Sequence, residues 1–215
     1  MNNYCLRRIR YALNLSDTQV LEIFALAAYK LTPSELKSYL LKEELADFVL
    51  LPDYLLVIFL DGLIIQKRGI REGQEPVSQA ERVAQSKQLK LNNNIIVNKL
   101  KIALSLNTDD LIEMLALADF RISKSEMSAF FRKPDHRNYR ECGNQLLRNL
   151  LTGMTIHYQS EKTNSDAKSK TKANSKTDIT PKTKKKSKPT DRAKRGSNKS
   201  SQFQPKVNKA REPKK

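Results

Sequence analysis

Apolar residues along this chain recur every three to four positions, the spacing that lines one face of a helix. Leu6, Ile9, Ala12 and Leu13 form the first stripe, preceded by Asn2 and Asn3, whose side chains are expected to cap the backbone N–H groups there. Val20, Phe24 and Ala27 form a second, opened by Ser16 and Gln19 at capping-box spacing. Thr32, Pro33, Ser34 and Glu35 combine a cap, a proline suited to the first helical position and a glutamate that reaches back, and they predict a third helix carrying Leu36, Tyr39 and Leu40. A fourth helix is predicted from about Pro52 to Lys67 on Leu55, Leu56, Phe59, Leu60 and Leu63. Nothing alternates with period two, so the predicted fold class is all-α.

The pattern then repeats. Shifting the chain by 91 positions lays Asn2 and Asn3 on Asn93 and Asn94, Glu22 on Glu113, Ser34 and Glu35 on Ser125 and Glu126, and Gly62 on Gly153, with about 17 identities in about 65 pairs. In the second copy Asn107 or Thr108 caps the second helix, and Ser123 to Glu126 repeats the third helix's start without proline. The expected architecture is two tandem four-helix modules, residues 1–69 and 92–158, related by pseudo-twofold symmetry and joined by a polar linker, 70–91, with a short helix near Ala80 to Ala84. Gly62 and Gly153 each cost a helix interior about 1 kcal/mol relative to alanine, which marks them as close helix crossings. Val57 and Ile58 are matched by Arg148 and Asn149. The first module's fourth helix is therefore apolar nearly all round, and Val57, Ile58, Gly62 and Gly153 are expected at a module or dimer interface.

Charge separates the rest of the chain from these modules. Of the formal +17, residues 160–215 hold 19 Lys/Arg against 5 Asp/Glu, a net +14, and residues 1–159 hold 21 against 18, a net +3. The tail from 159 to 215 has scattered proline and few large apolar residues beyond Ile179, Phe203 and Val207, so it is expected to be disordered. Its basic residues Lys184, Lys185, Lys186, Lys188, Arg192, Lys194 and Arg195 are of the kind that binds anionic polymers. The N-terminus has no uninterrupted apolar stretch, and the longest apolar run, 54–60, lies between Asp53 and Asp61; neither a signal peptide nor a membrane span is expected. The two cysteines, Cys5 and Cys142, fall at non-equivalent positions, which disfavours a disulfide or metal site and fits a reducing cytoplasm.

Three stretches together resemble the YehS-like bacterial family, a domain of unknown function (1456) built from two tandem copies of a short helical unit: Asn92 to Leu106, Arg132 to Gly143, and Phe59 to Ile64. The resemblance covers residues 1 to about 158 and leaves the basic tail outside it. It implies the double helical unit and brings no catalytic residues with it.

Candidate chemistry is sparse. His136 and Cys142 are the one conceivable nucleophile pair, without a symmetric partner or an oxyanion loop; His157 is the only other histidine. No phosphate-binding glycine pattern and no metal-ligand spacing occurs, so no cofactor or metal is expected. Glu22 and Glu113 recur within apolar helices, and the expected role is a structural ion pair with Arg10 or Lys101, with an acid/base couple as the other reading. A helix-turn-helix over Ala118 to Glu126 is in poor register, because Ser125 and Ser128 fall where apolar residues belong. The segment from Arg132 to Arg140 is more informative: Arg132, Lys133, Arg137 and Arg140 surround His136 and Tyr139, whereas the first copy has an apolar and acidic segment, Leu41 to Val49.

The expected function is that of a non-enzymatic cytoplasmic protein whose tail binds RNA, the ribosome or another polyanion, with the helical modules as platform. The competing reading is an adaptor whose modules bind another protein or a second copy of the chain, the tail serving solubility. A DNA-binding regulator and an enzyme are the remaining classes.

Overall fold

The computed structural model describes residues 1–70, 73 and 77–173, with side chains as far as Ser160. The fold is all-α. The first module comprises α1 (Asn2–Ala12), α2 (Asp17–Leu26), α3 (Pro33–Leu40) and α4 (Asp53–Arg68). A linker helix α5 (Gln79–Gln88) follows, and the second module comprises α6 (Asn93–Ala103), α7 (Thr108–Leu117), α8 (Lys124–Ala129) and α9 (Asn144–Ala173). Complete capping boxes open α2 at Ser16, α3 at Thr32, α5 at Ser78, α7 at Asn107 and α8 at Ser123. Matched left-handed residues end the first two helices of each module, Asn14 and Ser105 at φ 52° and 55°, Ala28 and Asp119 at 59° and 56°. The following N–H then turns back, as Leu15 N–H does to Arg10 O at 2.9 Å and Leu106 N–H to Lys101 O at 2.9 Å.

Two helices differ in length from expectation. The linker helix continues to Gln88 rather than Ala84, and α9 runs to Ala173, past the change of composition near Gln159.

Asn2 and Asn3 do not cap α1, whose N-cap is Met1 with no side-chain bond. They lie inside the helix and fasten the long connection between α3 and α4. Buried Asn3 donates to Tyr39 O at 3.0 Å and Val49 O at 2.8 Å, and accepts from Leu51 N–H at 3.0 Å. Asn94 repeats this with Phe130 O at 2.9 Å, Arg140 O at 2.8 Å and Cys142 N–H at 2.8 Å. Asn2 and Asn93 add bonds to Leu51 O and Cys142 O, and to Asp53 and Asn144 at the start of α4 and α9. Each buried amide has both N–H donors and its oxygen engaged, so twelve or so irregular residues are held without a strand or helix.

Within each module the fourth helix crosses the second at its glycine. A Cβ on Gly62 would stand 1.9 Å from Ile23 O, and one on Gly153 would stand 1.6 Å from Met114 O. Between modules the packing is reciprocal, α4 against α6 and α1 against α9. Matched positions meet there with different chemistry: Asp61 of α4 forms a half-buried ion pair with Lys99 of α6, while Thr152 of α9 accepts from Arg8 of α1 at 3.0 Å. The Tyr4 ring lies under two guanidinium groups, Arg148 at 5.1 Å and Arg8 at 5.9 Å.

Helix α4 is enclosed by α2, α6 and α5, and Leu55 through Leu60 are all buried. Val57 and Ile58 sit in this central position. Linker helix α5 packs chiefly on α4, with Gln79 also accepting from Lys30 N–H at 3.2 Å, and the matched face of α9 is open enough that Arg148 is exposed and Asn149 half-buried.

Candidate anion-binding site in the second module

The connection after α8 is shaped by three backbone bonds: His136 N–H to Lys133 O at 3.0 Å, Tyr139 N–H to His136 O at 2.8 Å, and Arg140 N–H to Ala129 O at 3.3 Å. The first module has the same three, from Leu45 to Lys42 at 3.1 Å, Phe48 to Leu45 at 3.0 Å and Val49 to Ser38 at 3.4 Å. One frame therefore carries two sets of side chains. In each module it encloses a surface cavity beside the third helix, about 310 Å³ in the second and about 450 Å³ in the first.

The linings differ in chemistry. Arg132, Arg137, Arg140, Asn138 and Tyr139 face the second module's cavity, where the first module has Leu41, Ala46, Val49, Asp47 and Phe48. Lys133 is exposed but does not line it. None of these four basic side chains forms an ion pair; the ion pairs among the described residues are Arg10–Asp17, Asp61–Lys99 and Asp109–Lys124. Glu126, the one acid in the lining, is held below the usual carboxylate range by the Ser123 hydroxyl and N–H, with a smaller contribution from Arg140. Its charge is thus committed to the α8 cap.

His136 completes the arrangement. Its Nδ1 accepts from Asn138 N–H at 3.0 Å, and its Nε2 lies 3.1 Å from Arg132 Nη1.

The other sequence candidates are dispersed. Cys142 is buried beneath Asn94 at the position Leu51 fills in the first module, and burial pushes its thiol up to about 12. Cys5 is likewise pushed up to about 11, chiefly by burial. The His136/Cys142 couple therefore has no accessible thiolate to act as nucleophile. Glu22 and Glu113 are exposed and unpaired, since Arg10 engages Asp17 and Lys101 lies 4.6 Å over the Phe131 ring; neither the ion pair nor the acid/base couple is formed. Helix α8 has six residues, too short to serve as a DNA-reading helix. Among the described residues no cluster of His, Cys, Asp or Glu is arranged to hold a metal ion, and no helix is long and apolar enough to cross a membrane. Lys184, Lys185, Lys186, Lys188, Arg192, Lys194 and Arg195 lie outside the described residues.

What sequence reasoning missed is that the acidic and basic segments form equivalent cavities. The signal was present in the matched spacing of Asn3 and Asn94 to Val49 and Arg140, but a side-chain-to-carbonyl bond leaves no trace in residue periodicity.

These features define a class: a helical module duplicated within one chain, its two cavities diverged in charge. The family described as "Protein of unknown function (DUF1456)" matches in two segments, residues 2–69 and 93–159, and the chain belongs to it. The chain is also 38% identical over 162 residues to "Uncharacterized protein YehS" of Escherichia coli (strain K12), a match covering 75% of this chain and 99% of that protein. No solved structure matches.

Proposed function

We propose that the protein is a non-enzymatic cytoplasmic binder of RNA or a similar polyanion, with the basic tail supplying phosphate contacts and the helical modules serving as platform. The observation that carries this reading is the distribution of charge: residues 160–215 bear a net +14, and the same sign appears in the modules at Arg132, Lys133, Arg137 and Arg140. The tail has almost no aromatic residues to stack on bases, so its contacts are to phosphates and independent of sequence. If about 6 basic residues each neutralise a phosphate of single-stranded RNA, the log–log salt slope is roughly −4. Fluorescence anisotropy at several salt concentrations tests this on the full chain and on a variant with Lys184, Lys185, Lys186, Lys188, Arg192, Lys194 and Arg195 changed to glutamine. The variant is expected to lose most of the affinity and slope; unchanged binding, or none by the full chain at low salt, defeats the reading.

A second reading, the protein–protein adaptor, is favoured by the first module's counterpart segment, where Leu45, Val49 and Leu50 are 51%, 47% and 64% exposed. It takes the lead if the chain binds no polyanion.

A further inference from the structure

The duplication supplies an internal control for the second module's cavity. The backbone frame that forms it is held equally well in the first module by Leu41, Ala46 and Val49, so folding does not require Arg132, Arg137 and Arg140 at the matched positions. Three unpaired guanidinium groups on one small concavity repel one another, and the first module shows a neutral alternative. Their presence is accounted for by a ligand of opposite charge.

The details say what kind. Arg132 Nη1 lies within hydrogen-bond distance of His136 Nε2, at 3.1 Å, which steadies that guanidinium at the rim of the cavity while its remaining N–H groups can meet an anionic oxygen. Arg137 and Arg140 border the same cavity, so further oxygens of a tetrahedral anion meet further donors. Beside them lies the half-buried ring of Tyr139, with Asn138 next to it offering both donor and acceptor. A volume of about 310 Å³ is at the lower end of the range for small-ligand sites. It suits one phosphate with one flat ring beside it, and it does not admit a stacked duplex.

We propose that this cavity binds a single nucleotide unit of single-stranded RNA, its phosphate held by Arg132, Arg137 and Arg140 and its base stacked on Tyr139. This deepens the polyanion reading and rests on it for the identity of the ligand. The tail then supplies long-range, sequence-independent attraction, and the cavity supplies a fixed point at which the strand is gripped.

The test is residue-resolved amide NMR on the full chain, titrated separately with adenosine 5′-monophosphate, inorganic phosphate and adenosine. Adenosine monophosphate is expected to shift the amides of residues 132–140. Inorganic phosphate is expected to shift those near Arg132 and Arg137 with weaker affinity, and adenosine is expected to do neither. The triple variant Arg132→Leu, Arg137→Ala, Arg140→Val installs the first module's own residues, so it keeps the frame, and it should abolish the shifts. Tyr139→Ala should weaken the monophosphate by about tenfold while leaving inorganic phosphate unaffected, and Tyr139→Phe should retain binding. Shifts confined to the tail, or equal affinities for phosphate and monophosphate, overturn the nucleotide site and leave tail-mediated polyanion binding standing. Shifts at 132–140 from a chain that fails to bind RNA in the anisotropy experiment would instead defeat the RNA reading alone.

Discussion

Asn3 and Asn94 each satisfy three backbone groups in or beside the long connection between the third and fourth helices of their module. Replacing Asn94 with alanine leaves Phe130 O, Arg140 O and Cys142 N–H without their partner, two of them in the buried interior. The expected cost is about 3 kcal/mol, from the desolvation of unsatisfied polar groups, read as a lowered midpoint in urea. Cys142 gives a second outcome at this scale. Its thiol titrates near 9.0 when unfolded and about 12 when folded, so native protein at pH 8 should react with a disulfide reagent far more slowly than urea-unfolded protein. Because the folded value is raised, the contribution to stability is complete below pH 9 and is lost as pH rises from there towards 12, which an alkaline unfolding series would follow. The recurrence of the asparagine pair was legible in the sequence, but its purpose was not: caps are local, and the partners here lie 36 to 48 residues away.

At the scale of elements, the capping boxes at Ser16, Thr32 and Ser123 were legible because every group in them lies within four residues, while the one at Ser78 that opens α5 went unread in a polar stretch with no apolar stripe to announce a helix. Helix ends fixed by remote or merely compositional cues were read less well. The stretch beyond Gln159 lacks an apolar face, which argues against burial, yet Glu161, Lys162, Ala167 and Lys168 are good helix formers and an α-helix needs no buried face to continue. Composition and helix length answer different questions. The glycines were legible as crossings, and the structure gives the reason in ångströms. Gly153→Ala places a methyl group within bonding distance of a backbone carbonyl that cannot rotate away, so α9 and α7 must separate. The expected loss is about 3 kcal/mol or more, seen as a markedly lower melting temperature, and Gly62→Ala should behave alike. Unchanged melting in both variants would show that the helices slide apart at little cost.

For the whole molecule, the pseudo-twofold relation was visible in the shift of 91, but the pairing of α1 with α9 and of α4 with α6 was not, since nothing in a stripe of leucines names its partner. That exchange makes each module incomplete alone. A module of about 65 residues buries a marginal fraction of its surface, and here part of its apolar surface faces the other module. A fragment of residues 1–70 should therefore be aggregated or lack a cooperative melt, because Leu55, Val57, Ile58 and Leu60 lose part of their cover; mixing it with residues 77–175 should restore a single transition by circular dichroism. A soluble fragment that melts cooperatively by itself would refute the dependence.

The reciprocal pairing of α1 with α9 and α4 with α6 is the contact that two separate, identical modules would make about a true twofold axis, each burying the same patch twice. Joining them through α5 replaces an association that depends on concentration with one that does not. It also removes a constraint. In a homodimer a substitution must serve both halves, whereas in the joined chain one connection is free to gather arginines while its twin stays apolar and acidic. The same freedom lets a hydroxyl stand at Thr152 where the matched position holds the Asp61 carboxylate. Asymmetry of charge on a symmetric frame is thus a property that only the fused chain can hold.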